Sequence, residues 1–174
     1  IEGLSEATLE KFIINGYIKD FADLFHLDRY ADEIRQMEGF GDKSYENLQN
    51  SIKNARTTTL PRLVYSLGIP NIGIANAKMI CGALGNDPER ILNTTVEELS
   101  GISGVGGVIA GTFVDYFADE DHRDLFKRLL EEVEIPKEEI TEDSRKFAGV
   151  NFVITGSVNH FANRAEVKEE IEKR

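Results

Sequence analysis

The stretch Gly101-Ile102-Ser103-Gly104-Val105-Gly106-Gly107-Val108-Ile109-Ala110-Gly111 has glycine at five of its eleven positions, one serine, and otherwise only apolar residues. Glycine at that density lets a backbone turn sharply or come close to something else. Val108, Ile109 and Phe113 follow at helical spacing, so the pattern predicts a turn over Gly104–Gly106 that opens a helix. Gly104-x-Gly106 with Ala110 four residues on is close to a dinucleotide fingerprint. That fingerprint needs a buried strand before it and a second strand, ending in an acid, after it. Here VEELSGI (96–102) is a poor strand, and FADEDHRDLF (117–126) stands where the second should be. A nucleotide loop does not fit.

The same pattern occurs three more times. EGLSEATLEKFI starts at Glu2, EGFGDKSYENLQNSI at Glu38, PNIGIANAKMICGAL at Pro70 and SGVGGVIAGTFVDYF at Ser103. Each places a short turn, with an apolar residue at its centre, before a helix-forming run. The second and fourth turns keep two glycines, Gly39-Phe40-Gly41 and Gly104-Val105-Gly106. The first, Gly3-Leu4-Ser5, and the third, Asn71-Ile72-Gly73, keep one each. Ala77 and Ala110 lie four residues past the third and fourth turns, where a small side chain lets two helices approach closely. Leu9 and Tyr45 hold that position in the first two copies, which must pack differently.

A single glycine turn between helices is most often a plain connection, but four copies point to a shared role. The pattern resembles the helix-hairpin-helix motif. The turn and the first residues of the next helix present unpaired N–H groups, and the helix dipole adds partial positive charge. A phosphate oxygen can sit there without a basic side chain. Such contacts position a nucleic acid and carry no base preference.

Net charge of −11, from 20 basic and 31 acidic residues, argues on its face against a nucleic-acid partner. Its distribution softens that: residues 115–146 hold 12 acids and 6 bases. From Lys43 to Lys78, five bases (Lys43, Lys53, Arg56, Arg62, Lys78) face one acid, Glu46. No apolar run reaches the ~20 residues of a membrane helix. A single cysteine, Cys81, rules out an internal disulfide and a multi-cysteine zinc site, and suits an intracellular protein. Its apolar neighbours make it a core residue. His26, His122 and His160 lack ligand-spaced partners, and Asp119-Glu120-Asp121 suits an acidic helix start better than a metal site.

Residues 1–133 therefore read as a mainly α array of four hairpins, closed by an amphipathic helix over 120–133. Residues 134–146 are polar and proline-broken, a linker. FAGVNFVIT (147–155) is the best strand, and a helix follows from about Asn163, so 147–174 look like the beginning of an incomplete α/β domain. The first residue, Ile1, and an end within an apparent helix suggest a fragment of a longer protein.

Essentially the whole chain resembles the C-terminal part of bacterial NAD-dependent DNA ligases, most specifically in EGFGDKSYENLQNSI, LVYSLGIPNIGIANAK and GVNFVITGSV, the last being the start of a BRCT domain. The resemblance implies a non-catalytic module that grips nicked duplex DNA across the minor groove, cytoplasmic and associated with the nucleoid, with no membrane or small-molecule partner. It also implies that NAD and Mg serve an adenylation domain and Zn a four-cysteine module, all outside this sequence. The family's Lys-x-Asp-Gly motif for the adenylated lysine does not occur here. The helix-hairpin-helix module of another DNA-repair protein, or a protein-interaction scaffold, are the alternatives. The residues expected at DNA are the turns Gly3-Leu4-Ser5, Gly39-Phe40-Gly41 and Asn71-Ile72-Gly73, and Gly104 to Val108, including Val105, Gly106 and Gly107. Side chains expected nearby are Lys43, Ser44, Arg56, Arg62, Asn76 and Lys78. The fourth hairpin has no base between Arg90 and Arg123, so backbone amides alone would serve it. Thr155-Gly156-Ser157 matches a phosphate-holding turn of some BRCT domains.

Overall fold

The computed structural model describes residues 1, 3–136, 167 and 171. The chain divides into two compact units, Ile1–Pro136 and Lys137–Arg174. The strand over 147–155, the Thr155-Gly156-Ser157 turn and most of the linker lie outside the described residues. Val167 and Ile171, within the expected second-unit helix, are helical.

In the first unit each glycine turn opens a helix: α1 (Glu6–Ile14), α3 (Asp42–Ala55), α5 (Ile74–Ala83) and α8 (Gly107–Ala118). Three of these are preceded by a hairpin partner: α2 (Ala31–Gln36), α4 (Leu60–Ser66) and α7 (Val96–Ser100). A short α6 (Pro88–Asn93) links the third hairpin to the fourth, and α9 (Glu120–Glu132) follows the fourth. A 3-10 segment, Ala22–Tyr30, kinked at His26 (φ −120°, ψ 17°), leads into α2. The sequence reading had no element there.

The hairpins pair off around two cores. The smaller holds Phe12, Leu27, Ile34, Tyr45, Leu48 and Ile52 from the first two hairpins. The larger runs from Leu60 through Ile80, Leu99 and Phe113 to Phe126 and Leu129 on α9. Ala77 and Ala110 are fully buried, as close helix packing in hairpins three and four requires. In hairpin two, Tyr45 fills the equivalent place beneath the Arg35 guanidinium, 4.4 Å from its ring centre. The pairs also share a register. Six residues past the cap of α1, Lys11 Nζ donates to the carbonyl of Glu38 at the second turn (2.9 Å). Six residues past the cap of α5, Met79 Sδ lies 3.1 Å from where a Cβ on Gly104 of the fourth turn would stand.

Glu134, at the start of the stretch read as linker, is held within the first unit. It forms an isolated parallel bridge with Thr57.

Candidate nucleic-acid interface

The four turns have one backbone course. The residue before the apolar centre has positive φ: Gly3 (74°), Gly39 (80°), Asn71 (64°) and Gly104 (89°). Asparagine tolerates this region better than most residues, which is why the third turn can do without its first glycine. In three turns the central N–H closes a tight turn: Phe40 to the Met37 carbonyl at 2.9 Å, Ile72 to Ile69 and Val105 to Ile102 at 3.0 Å each. Ile72 and Val105 are buried, while Leu4 and Phe40 are half-buried. The next residue is extended and caps the helix: Ser5, Gly41, Gly73 and Gly106.

At the first turn the Ser5 hydroxyl accepts from Thr8 N–H at 3.2 Å, so the chain satisfies that amide itself. At Gly41, Gly73 and Gly106 no side chain caps the helix. The first-turn amides of α3, α5 and α8 are thus left open toward solvent, with the dipole behind them. Elsewhere, α6, α7 and α9 take side-chain caps from Asp87, Thr95 and Asp119, whereas the short helices α2 and α4, behind Tyr30 and Thr59, also have none.

The two glycines of a turn have different reasons to be there. Gly39 and Gly104 answer to positive φ. Gly41, Gly73 and Gly106 do not, and a Cβ added to any of them meets nothing of the chain within 4 Å. The fold alone leaves room for a side chain at all three.

Lys43 and Ser44 are exposed in the first turn of α3, and Arg62 is exposed on α4. Asn76 Nδ2 donates to the Asn71 carbonyl at 2.9 Å, bracing the third turn, and Lys78 is exposed one turn further along α5. Two apolar side chains flank the open amides, Ile74 (39% exposed) and Val108 (75% exposed). The sequence reading missed Ile74 and took Val108 only for its amide. Its signal was present: an apolar residue where the helical period calls for solvent.

Arg56 is engaged within the chain. Its Nη1 donates to the Glu132 carboxylate and carbonyl, both at 3.0 Å, and its Nη2 to the Phe25 carbonyl at 2.9 Å. His26 Nε2 lies 2.5 Å from the other Glu132 oxygen. Burial alone would raise the Glu132 carboxyl, but its hydrogen bonds from His26 and Arg56 outweigh that and hold it below the usual range. Cys81 is fully buried and its thiol is pushed up to about 12 by desolvation, which suits a core residue and not a thiolate ligand for zinc. His122 stacks on Tyr116, ring centres 4.0 Å apart.

A family described as helix-hairpin-helix motif matches residues 62–126, the third and fourth hairpins and the start of α9. A DNA ligase of Lachnoclostridium phytofermentans is 51% identical over 173 residues, covering 99% of this chain and 26% of the relative. One of Ruminiclostridium cellulolyticum is 47% identical over 174 residues, covering 100% and 26%. Over nearly its whole length the chain is a homologue of one part of these DNA ligases. A third DNA ligase, from Thermosipho africanus, is 36% identical over 174 residues, again with 99% of this chain covered and 26% of the relative. The chain thus spans about a quarter of the length of the curated relatives it matches. Among its described residues no helix is long and apolar enough to cross a membrane.

Proposed function

We propose that this chain grips duplex DNA by its phosphates, without sequence preference, as a non-catalytic part of an NAD-dependent ligase that seals nicks in replication and repair. The observation that carries the reading is the set of three helix starts, at Gly41, Gly73 and Gly106, with open amides and room left at the cap. Phosphate oxygens fit such amides, and a glycine cap lets the DNA backbone reach them. Lys43, Arg62 and Lys78 add cations near the second and third turns, and Ile74 and Val108 present apolar surface to the sugars. The first hairpin, capped by its own Ser5, serves to stack the array. In this reading residues 1–133 are the DNA-binding domain, 134–146 a linker and 147–174 the beginning of a BRCT domain, in a cytoplasmic enzyme working at the nucleoid.

The described residues offer no group of metal-ligating side chains for the parent enzyme's cofactors. Its one cysteine is a core thiol, and the adenylation motif does not occur in it. NAD, Mg and Zn belong to other parts of the enzyme, and this chain mixed with NAD is expected to gain no adenylate mass.

Fluorescence anisotropy with intact and nicked duplexes of two unrelated sequences tests the grip. Log affinity is expected to fall with log salt at about 0.9 per phosphate contacted, equally for both sequences. A folded chain that ignores duplex at low salt would overturn the reading in favour of a protein-interaction scaffold.

A further inference from the structure

An acidic helix beside a phosphate-binding array works against binding, so the placement of the α9 carboxylates needs a reason. Phe126 and Leu129 anchor α9 in the core of hairpins three and four. Its last turns reach the other pair. Glu132 there receives His26 from the 3-10 segment (2.5 Å) and Arg56 from the end of α3 (3.0 Å), and the same Arg56 holds the Phe25 carbonyl at 2.9 Å. Just beyond, Glu134 N–H donates to the Arg56 carbonyl at 2.6 Å, and Thr58 N–H donates to the Glu134 carbonyl at 3.1 Å. One turn back, Arg128 pairs with Asp20 at 2.7 Å. Covalently, the two pairs are joined only through residues 56–59, between α3 and α4.

His26, Asp28, Lys53 and Arg56 also line a shallow cleft at this junction. His26 and Arg56 are already paired with Glu132, and Asp28 shares the cleft with Lys53, so the cleft offers an anion little unopposed positive charge. The hydrogen bonds of Arg56 and His26 run to other parts of the chain, so the cluster serves attachment.

We propose that Glu132 is a positioning residue for DNA binding, its carboxylate fixing the first hairpin pair against the second so that both reach one duplex together. The inference rests on the DNA-binding reading above. Two pairs swinging on a short connection would lose freedom each time they engaged the same duplex, and a fixed pair has already met that cost. The prediction runs against simple electrostatics: removing a negative charge from this acidic chain should reduce repulsion of DNA, whereas loss of the latch should weaken binding.

The test uses the full 174-residue chain, duplex anisotropy at low salt and amide hydrogen exchange. Glu132→Gln is compared with Glu131→Gln, which removes the same charge from an exposed neighbour whose side chain forms no ion pair or hydrogen bond among the described residues. Arg56→Lys keeps the charge but loses the fork that reaches Glu132 and Phe25 at once. Glu132→Gln and Arg56→Lys are expected to bind about five-fold or more weakly, the low end of ordinary coupling between sites. Both should also lose exchange protection at Thr58 and Glu134, with α5 and α8 still protected, while Glu131→Gln should bind at least as well as the unmodified chain. Should Glu132→Gln fail to fold, Arg56→Lys carries the comparison alone. The proposal is overturned if the latch variants match Glu131→Gln in affinity, or if Thr58 and Glu134 stay protected in them. Failure of the DNA-binding reading shows separately, as an unmodified chain that does not bind, and it takes this proposal with it.

Discussion

Replacing Gly106 by serine puts a hydroxyl at the cap of α8, where Ser5 at α1 already accepts from its own helix amide at 3.2 Å. Position 106 has φ −80° and an added Cβ there meets nothing within 4 Å, so the fold has space for it. Gly106→Ser is therefore expected to leave the melting temperature unchanged or raise it, since a serine cap is worth slightly more than glycine. Duplex affinity should fall about tenfold, the worth of one charge-assisted hydrogen bond now made inside the chain. Unchanged affinity would remove the α8 amides from the interface. Gly104→Ala is the converse. There φ is +89° and Met79 Sδ would lie 3.1 Å from the new methyl, so the cost is conformational, about 1–2 kcal/mol. Thermal melting should fall by several degrees. A melt as high as the original would mean that the turn relaxes out of positive φ.

The carboxylate of Glu132 ties α9 to the 3-10 segment and to the end of α3, and its pKa sets when that tie lets go. Its hydrogen bonds from His26 and Arg56 overcome the upward push of burial and hold it below its unfolded value of about 4.3. A depressed carboxyl contributes stability that is complete above the unfolded value and is lost as pH falls through the folded one. Asp20, raised by burial but lowered further by Arg128 and nearby amides, behaves in the same direction. Melting temperature should thus fall as pH drops below about 4.3, and less steeply in Glu132→Gln, which starts lower. Parallel curves would separate the latch from acid lability. The pattern of the elements explains what sequence could disclose. The turns were legible because positive φ and close approach leave glycine in the sequence, and α9 because Leu125, Leu129 and Leu130 repeat at helical spacing. The 3-10 segment was not, because what holds it is contact with α9 and with Asp20 and Asp23, residues whose side chains accept from Ala22 and Lys19 N–H. The tie made by Arg56 was hidden for a related reason: a base in a basic strip gives no sign that a partner lies 76 residues away.

Two cores of unequal size in one unit should not open together. Phe12, Leu27 and Ile34 are the fully buried side chains of the smaller core, whereas the larger has Phe113, Phe126, Leu60, Ile80, Leu84, Ile91, Leu99 and others wholly enclosed. With each such side chain worth roughly 1.5–3 kcal/mol of burial, the second hairpin pair is the better anchored. Local opening draws on the least buried cooperative unit, so hairpins one and two are expected to exchange their amides through a lower-energy opening than α4 to α9. Phe12→Ala, which empties the centre of the smaller core at a cost of about 3–5 kcal/mol, should deepen that difference. Phe126→Ala should act on both pairs, because α9 fills the larger core with one face and latches the smaller pair with its end. Native-state hydrogen exchange at rising denaturant reads both. One common opening energy for all helices, unmoved in its uniformity by Phe12→Ala, would mean that the latch makes the two pairs a single cooperative unit. A Phe126→Ala chain in which α1 and α3 keep full protection would show that the first pair stands without α9.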